Sequence, residues 1–205
     1  MSTLHYSIKF YSYWHTDSGL SQGMEADNSV LKDKKDLPYL PGKTIKGLLR
    51  DAALTIQKPF SVDDEVITAI FGSLARQSNT TSRSTDDIDK FSKPGTCRFN
   101  DALLNEKDAK YILDGELTTL LYRRVTSTKL DENRQAEDKS LRTSEATTPL
   151  ILYGSINNIP EDEEYMSFIR NCLKAVKHIG LKRSRGWGRC LFTEVQQENK
   201  DHAEV

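Results

Sequence analysis

The sequence predicts an α+β protein with a ferredoxin-like fold, in which an antiparallel sheet carries helices on one face. Two observations lead to this fold. Three segments have helical periodicity, and segments with the composition or alternation of strands lie around them. Their order is strand, two helices, two strands, a hairpin, strand, helix and strand, which is typical of an antiparallel sheet covered by helices.

The first predicted strand covers residues 4–14, where aromatic and aliphatic side chains alternate with polar ones. Residues 15–36 lack this periodicity and are predicted to form a loop, which leaves room for a short strand at 29–31. A turn containing proline and glycine follows at 37–42.

Two helices are predicted next, over 44–57 and 62–75. In the first, the apolar residues form one stripe and the cations lie beside it. Thr44 has the side chain of an N-cap, and Pro59 is expected to end the helix.

Residues 76–95 are rich in serine, threonine and aspartate and end in Lys-Pro-Gly, which predicts a mobile loop. A strand is predicted over 98–104, and a strand or strand pair over 117–126. Residues 129–144 are almost wholly charged and polar. They predict a hairpin insertion over 126–146 that protrudes from the fold, and a surface loop is the alternative.

The last third of the chain predicts a strand over 149–156, a helix over 164–179 and a closing strand over 187–195. Gly180 is expected to stop the helix, because glycine is common just after helix ends.

The composition fits one domain over residues 1–205. A hydrophobic content of 37% with 29% charged residues is typical of a soluble globular protein, and no apolar run approaches the length of a membrane span. The N-terminus lacks a signal-peptide pattern.

Three scattered cysteines disfavour a disulfide framework and a structural zinc site, so we expect a cytoplasmic protein. A net charge of −1 disfavours nucleic-acid binding by charge alone.

The most informative segment is 180–189, called the glycine-rich loop below. It holds three glycines, four cations and one tryptophan, without an acid. Glycines let a backbone approach a ligand, cations suit a string of phosphates, and an indole offers a face to a base. This composition predicts a site for single-stranded RNA, and an ordinary turn with solvated charges is the alternative. The site residues are Lys182, Arg183, Ser184, Arg185, Gly186, Trp187, Gly188 and Arg189.

Three blocks occur in a characteristic order. Residues 27–33 precede 37–50, which contains Pro-Gly-x-x-x-Lys-Gly-x-x-Arg, and the glycine-rich loop reads Gly-x-x-x-Ser-Arg-Gly-x-Gly-Arg. Together they resemble the RAMP superfamily of CRISPR effector proteins, in particular the repeated backbone subunit of type III (Csm/Cmr) complexes. Residues 98–102 resemble the family's central strand, and 141–145 resemble the segment that returns from its thumb. The resemblance therefore spans nearly the whole chain.

The resemblance implies a modified RNA-recognition-type ferredoxin core with a thumb hairpin. It also implies that copies of the chain stack along a crRNA guide, together with other type III subunits, and cut complementary target RNA at regular intervals. No membrane partner is expected. Guide phosphates would bind at the N-terminus of the first helix, where the helix dipole favours anions. The residues implied there are Lys43, Thr44, Lys46 and Arg50, for which a cap and a solvated helix face are the alternative. Arg123, Arg124 and Arg142 would assist near the thumb base, with surface ion pairs as the alternative.

Asp27 matches the position at which catalytic backbone subunits carry an aspartate. The resemblance therefore implies that its carboxylate binds Mg²⁺ or orients the attacking 2′-hydroxyl during target cleavage. His15 stands where related chains place a histidine near the guide, and an ordinary strand-end histidine is the alternative. The family's paired glycines before the aspartate and its following proline are absent, and Glu25 lies beside Asp27. The loop thus departs from the family pattern.

Three other functions stay open. The chain could be a non-catalytic architectural RAMP subunit present once near one end of a complex. It could also be a metal-independent crRNA-processing endoribonuclease that uses His15 or a tyrosine as general acid or base. A small-molecule enzyme on a ferredoxin-like fold is the third, and the lack of a cofactor motif or a nucleophile–base pair in the sequence disfavours it.

Overall fold

The computed structural model describes residues 1–17, 29–73, 93–129, 131–137 and 140–196. The strands in these ranges are β1 (Ser2–Phe10), β2 (Arg98–Phe99), β3 (Tyr122–Ser127), β4 (Arg142–Thr147), β5 (Ile151–Ile159) and β6 (Cys190–Glu194). The helices are α1 (Gly42–Ile56), α2 (Asp64–Phe71), α3 (Glu106–Asp114) and α4 (Glu163–Ala175). Short 3-10 turns occupy Thr118–Leu121 and Arg183–Arg185.

Four strands form one antiparallel sheet in the order β2–β5–β1–β6. With α1 after β1 and α4 after β5, these elements have the β-α-β-β-α-β connectivity of the ferredoxin-like fold. β3 and β4 pair as a separate two-stranded ribbon, called the hairpin below, inserted between β2 and β5. This is the modified ferredoxin-like α+β fold that the sequence predicts.

The core lies between the sheet and α1, α2 and α4. Alternate residues of β1 are buried, because a strand directs successive side chains to opposite faces. Burial of each large apolar side chain contributes about 1.5–3 kcal/mol, so this packing holds the helices on one face of the sheet. The contributors from β1, α1 and α4 include Leu4, Tyr6, Ile8, Phe10, Ile45, Leu49, Ala53, Phe168, Ile169, Cys172 and Leu173.

The first strand is shorter than predicted. β1 ends at Phe10, and the chain then leaves the sheet, with Tyr11 N–H donating to Arg189 O and Trp14 N–H donating to Thr147 O. The short strand considered at 29–31 is reduced to a single bridge between Asp17 and Val30.

The start of α1 corrects the prediction that Thr44 is its N-cap. The helix begins at Gly42 after an extended Pro41, and Gly42 N–H donates to the Asp101 carboxylate at 2.7 Å. Thr44 lies inside the first turn. A Cβ on Gly42 would lie 2.1 Å from the Phe99 carbonyl oxygen, so this close approach of α1 to β2 requires glycine.

Both α2 and α4 are shorter than predicted. Gly72, with a φ of +80°, follows the last residue of α2, so the helix does not extend over the predicted 62–75. α4 ends at Ala175 because Val176 is extended. The prediction that Gly180 stops this helix is therefore wrong, and Gly180 instead adopts a φ of +88° in the glycine-rich loop.

The remaining strands also differ in their bounds. The strand predicted over 98–104 is β2 followed by single bridges at Ala102 and Leu103. The segment 117–126 is a 3-10 turn before it becomes β3. The last strand begins only at Cys190, because the residues before it belong to the loop.

No element was predicted from the sequence at α3. This helix has 9 residues, none of them buried, so its apolar stripe is shorter than those of α1 with 15 residues and α4 with 13. A capping signal was present nonetheless, because the Asn105 side chain accepts a hydrogen bond from the N–H of Asp108 at 2.6 Å.

The predicted mobile loop over 76–95 lies outside the described residues except for 93–95. Among the helices of the described ranges, none is long and apolar enough to cross a membrane. Cys97, Cys172 and Cys190 are buried free thiols, and burial raises the pKa of Cys172 and Cys190 to about 12.

Candidate nucleic-acid interface

The glycine-rich loop is shaped by glycines in left-handed conformations. Gly180, Gly186 and Gly188 have φ values of +88°, +80° and +70°. A Cβ on Gly180 would lie 2.0 Å from the His15 carbonyl oxygen, and one on Gly188 would lie 1.8 Å from that of Ile179. A Cβ on Gly186 would meet no atom of the described residues within 4 Å. Two glycines therefore serve close packing, whereas Gly186 leaves its backbone open at the surface.

The loop is fixed to the segment after β1. Gly188 N–H donates to Tyr13 O at 2.7 Å, and Tyr11 N–H donates to Arg189 O at 2.9 Å. The N–H of Arg189 also donates to Ser12 Oγ at 3.0 Å. Segments from the two ends of the chain thus hold each other, and the sheet sets the position of the loop.

Three loop cations are free to bind an anion. The side chains of Arg183, Arg185 and Arg189 are exposed, as is Ser184 between the first two. None of the three guanidinium groups forms an ion pair with a described residue. Because guanidinium stays protonated and matches phosphate bidentately, these arginines suit a phosphate chain.

Lys182 makes different contacts. Its backbone is left-handed, its Nζ donates to Ser144 Oγ at 2.9 Å, and the same Nζ lies 4.7 Å from the centroid of the Trp187 ring. Burial, and then the charge of Arg185, lower the pKa of Lys182. Lys182 is therefore engaged within the protein, where it links the loop to β4, and its predicted contact with RNA stays a prediction.

The hairpin presents one of its two faces to the loop. Directly paired residues of an antiparallel ribbon share a face, and Val125 pairs with Ser144, the residue that Lys182 contacts. Arg123 and Arg142 occupy this same face by register. The opposite face carries Arg124, which pairs with Glu145. Of the three predicted hairpin arginines, the structure thus brings Arg123 and Arg142 to the loop side.

Glu145 anchors the opposite face of the hairpin. One carboxylate oxygen accepts Val30 N–H at 3.0 Å, and the other accepts Lys32 Nζ at 2.8 Å. Lys32 Nζ also lies 3.9 Å from the centroid of the Tyr122 ring, and burial, then Glu145, raise the pKa of Tyr122. His15 Nδ1 donates to the Glu145 backbone oxygen at 2.6 Å. Adjacent residues of β4, Ser144 and Glu145, are therefore each held by a lysine that also contacts an aromatic ring.

His15 is 1% exposed, and its Nε2 is buried without a partner among the described residues. This burial favours a structural role beneath the loop. The predicted contact of His15 with RNA stays a prediction.

The N-terminus of α1 already has an anionic partner. The Asp101 carboxylate takes the N–H of Gly42, and the N–H groups of Thr44 and Ile45 donate to Pro41 O. Lys43 is exposed, and Thr44 and Lys46 are partly buried. This geometry is less open to phosphate than the sequence suggests.

Arg50 points away from that end of α1. Its Nη2 donates to the carbonyl oxygen of Gly72 at 3.1 Å, and its Nε is buried without a partner among the described residues. The predicted contact of Arg50 with guide phosphate stays a prediction.

Asp27 and Glu25 lie outside the described residues, so the predicted Mg²⁺ site is untested. Within the described ranges, no group of three or more histidine, cysteine, aspartate or glutamate side chains could hold a metal ion. The nearest described residues after Asp27 are 29–32, which Glu145 anchors through Val30 and Lys32.

A profile described as the RAMP superfamily matches residues 7–191. The chain belongs to the RAMP superfamily. No curated protein matches the sequence. This RAMP chain is similar to a chain in "Cryo-EM structure of the Type III-B Cmr-beta bound to cognate target RNA", with a TM-score of 0.64, 12% identity, and coverage of 95% of this chain and 97% of the other. A chain in "Type III-B Cmr-beta Cryo-EM structure of the Apo state" gives a TM-score of 0.63 and 12% identity over 95% and 98% of the two chains. At this identity the likeness establishes the fold.

Four residues that shape the interface of this RAMP chain were not predicted from the sequence: Asp101, Ser144, Glu145 and Lys32. They act through partners far away in the chain, and Gly42 and Asp101, for example, are separated by 59 positions. No site role was predicted for Tyr11 and Tyr13, although alternation with the apolar Phe10 and Trp14 indicates that these tyrosines face outward.

Proposed function

We propose that this chain is a crRNA-binding backbone subunit of a type III CRISPR interference complex, acting in the cytoplasm with further copies of itself and other type III subunits. Membership of the RAMP superfamily and the fold shared with chains of a Cmr-beta complex support the proposal. The observation that carries it is the display, on the open turn of the glycine-rich loop, of guanidinium groups without an ion-pair partner among the described residues.

The loop would bind the RNA through its phosphates. Arg183, Arg185 and Arg189 supply charge, and the exposed backbone at Gly186 lets a phosphate approach closely. Arg123 and Arg142 extend the positive surface onto the loop-facing side of the hairpin. Because the chain's net charge is only −1, this local clustering rather than the total charge would attract the RNA.

We further propose that the chain cleaves the complementary target RNA. Asp27 would hold Mg²⁺, which stabilises negative charge on phosphate when bound. The target 2′-hydroxyl would lose its proton to water and attack the adjacent phosphorus. The bond to the 5′-oxygen breaks, and this oxygen takes up a proton from water, which leaves a 2′,3′-cyclic phosphate and a 5′-hydroxyl. Through Val30 and Lys32, Glu145 would fix the segment that follows Asp27 relative to the hairpin.

RNA binding is tested by removing the loop charges. Arg183→Ala/Arg185→Ala/Arg189→Ala should lose most of the short RNA that co-purifies with the complex, measured by gel and mass spectrometry. Lys58→Ala/Lys93→Ala/Lys110→Ala removes an equal charge from exposed positions elsewhere and should retain it. Equal RNA content in both variants would overturn the proposal.

Cleavage is tested separately. Asp27→Ala should abolish Mg²⁺-dependent cutting of target RNA while target binding persists, and Asp114→Asn, an exposed acid at the end of α3, serves as the control. A complex that binds but never cuts would instead indicate an architectural subunit, and its copy number from native mass spectrometry separates a backbone from a terminal cap. Cutting that survives EDTA would indicate the metal-independent endoribonuclease. The burial of His15 disfavours this residue as its general acid or base, whereas Tyr11 and Tyr13 are exposed.

A further inference from the structure

Two tyrosines outside every assigned site lie beside the glycine-rich loop. Tyr11 is 50% exposed and Tyr13 is 39% exposed, whereas Phe10 and Trp14 are buried and stack on each other at 4.4 Å. The segment therefore alternates, with one pair of aromatic rings in the core and the other pair at the surface. The core does not require the outer pair.

The outer rings lie in a cationic environment. Lys9 Nζ is 5.6 Å from the centroid of the Tyr11 ring, and the backbone of Tyr11 is paired with that of Arg189. The Tyr13 ring is 6.5 Å from the ring of Trp187, at an interplanar angle of 57°. Sites for single-stranded nucleic acid combine two components, exposed aromatic rings that stack on bases and cations that attract the backbone.

The tyrosines are also more accessible than the tryptophan of the loop, because Tyr11 and Tyr13 are exposed whereas Trp187 is partly buried. Since Lys182 covers one face of Trp187, Tyr11 and Tyr13 are the more accessible platforms.

We propose that Tyr11 and Tyr13 form a base-stacking site for unpaired nucleotides of the single-stranded RNA whose phosphates Arg183, Arg185 and Arg189 hold. The proposal rests on the proposed function, because it assumes that the loop binds RNA. It adds a contact to the bases, which phosphate contacts alone do not provide. Stacking accepts every base, so the site would grip the strand without reading its sequence.

The experiment uses the full chain and a single-stranded oligo(U) RNA of about ten nucleotides, within the usual range of site sizes. Trp14 is fully buried, so RNA-dependent quenching of tryptophan fluorescence should come from Trp187 beside Tyr13. Wild type should show quenching, and Trp187→Phe should lose it.

Tyr13→Ala should weaken binding about tenfold and Tyr11→Ala several-fold, with the slope of log K against log salt unchanged, because stacking releases no counterions. Tyr13→Phe keeps the ring and should bind like wild type. Arg185→Ala should instead lower that slope by about 0.7. Circular dichroism and thermal unfolding check that each variant is folded.

The outcomes separate the two proposals. If wild type binds no RNA, the proposed function fails as well. If Arg185→Ala weakens binding but Tyr11→Ala and Tyr13→Ala do not, only the stacking site is overturned. Tyrosine variants that break up the complex without changing RNA affinity would show that the rings contact protein, which also overturns it.

Discussion

The glycine-rich loop and the N-terminus of α1 were both predicted to bind RNA phosphates, yet they differ in what already occupies them. In the loop, exposed arginines have no ion-pair partner among the described residues. At α1, the Asp101 carboxylate takes the N–H of Gly42, and Arg50 donates to Gly72 O. Both regions have glycines next to cations in the sequence. In the structure, however, the loop is an open anion site, whereas the groups at the N-terminus of α1 already have partners within the protein.

Their glycines divide in the same way. Each region has a glycine that close packing demands, Gly188 in the loop and Gly42 in α1, and one beside which the described structure leaves open space, Gly186 and Gly47. The demanded glycines build the fold. The others mark surfaces that a ligand's backbone could approach, so pairs of substitutions can separate folding from binding.

The largest expected effect is on folding. Gly188→Ala would place its Cβ 1.8 Å from a carbonyl oxygen at a φ of +70°, and should lower the free energy of unfolding by about 3–5 kcal/mol. Gly186→Ala keeps the left-handed strain but meets open space, and should cost about 1–2 kcal/mol. Urea denaturation measures both values. Equal losses would show that the close approach to Ile179 does not limit the loop.

The next effect compares the cations of the two regions. Arg183→Ala/Arg185→Ala should weaken binding of single-stranded RNA about 10- to 100-fold and lower the salt slope by about 1.4, as expected for two lost phosphate contacts. Lys43→Ala/Lys46→Ala should weaken it only about 2- to 5-fold, because a carboxylate already lies at that end of α1. Titrations at several salt concentrations measure both. A larger effect of the lysine pair would reverse the ranking of the two regions.

The contrast between the two regions also shows which features could be predicted from the sequence and which could not. The alternation in β1 and the apolar stripes of α1 and α4 predicted these elements because local periodicity reports burial directly. The partners of Gly42 and Lys182 lie 59 and 38 positions away, at Asp101 and Ser144, and such contacts exist only once the sheet has formed. Local patterns therefore located the cations but could not tell which were free.

Asp101 provides a sharper test of the α1 region. Asp101→Asn retains an oxygen that can accept the Gly42 N–H but removes the negative charge, so RNA binding should improve about twofold to threefold. The protein should lose about 0.5 kcal/mol of stability, because a carboxylate at a helix N-terminus is favourable. Asp51→Asn, an exposed acid further along α1, controls for the change in net charge. Equal improvement in both variants would mean that the position of Asp101 has no special effect.

The last comparison separates the two roles of glycine most directly. Gly47 lies inside α1, is exposed, and a Cβ there would meet no atom of the described residues within 4 Å. Gly47→Ala should therefore raise the free energy of unfolding by about 0.5–1 kcal/mol, because glycine is a poor helix former. If the RNA backbone lies against α1 in the complex, the same substitution should also weaken RNA retention about twofold to fivefold, since the added methyl group would hold the strand away from Lys43. A stabilised chain with unchanged RNA retention would contradict any role of this helix face in binding. Of the two regions compared, the glycine-rich loop would then be the one that binds RNA phosphates.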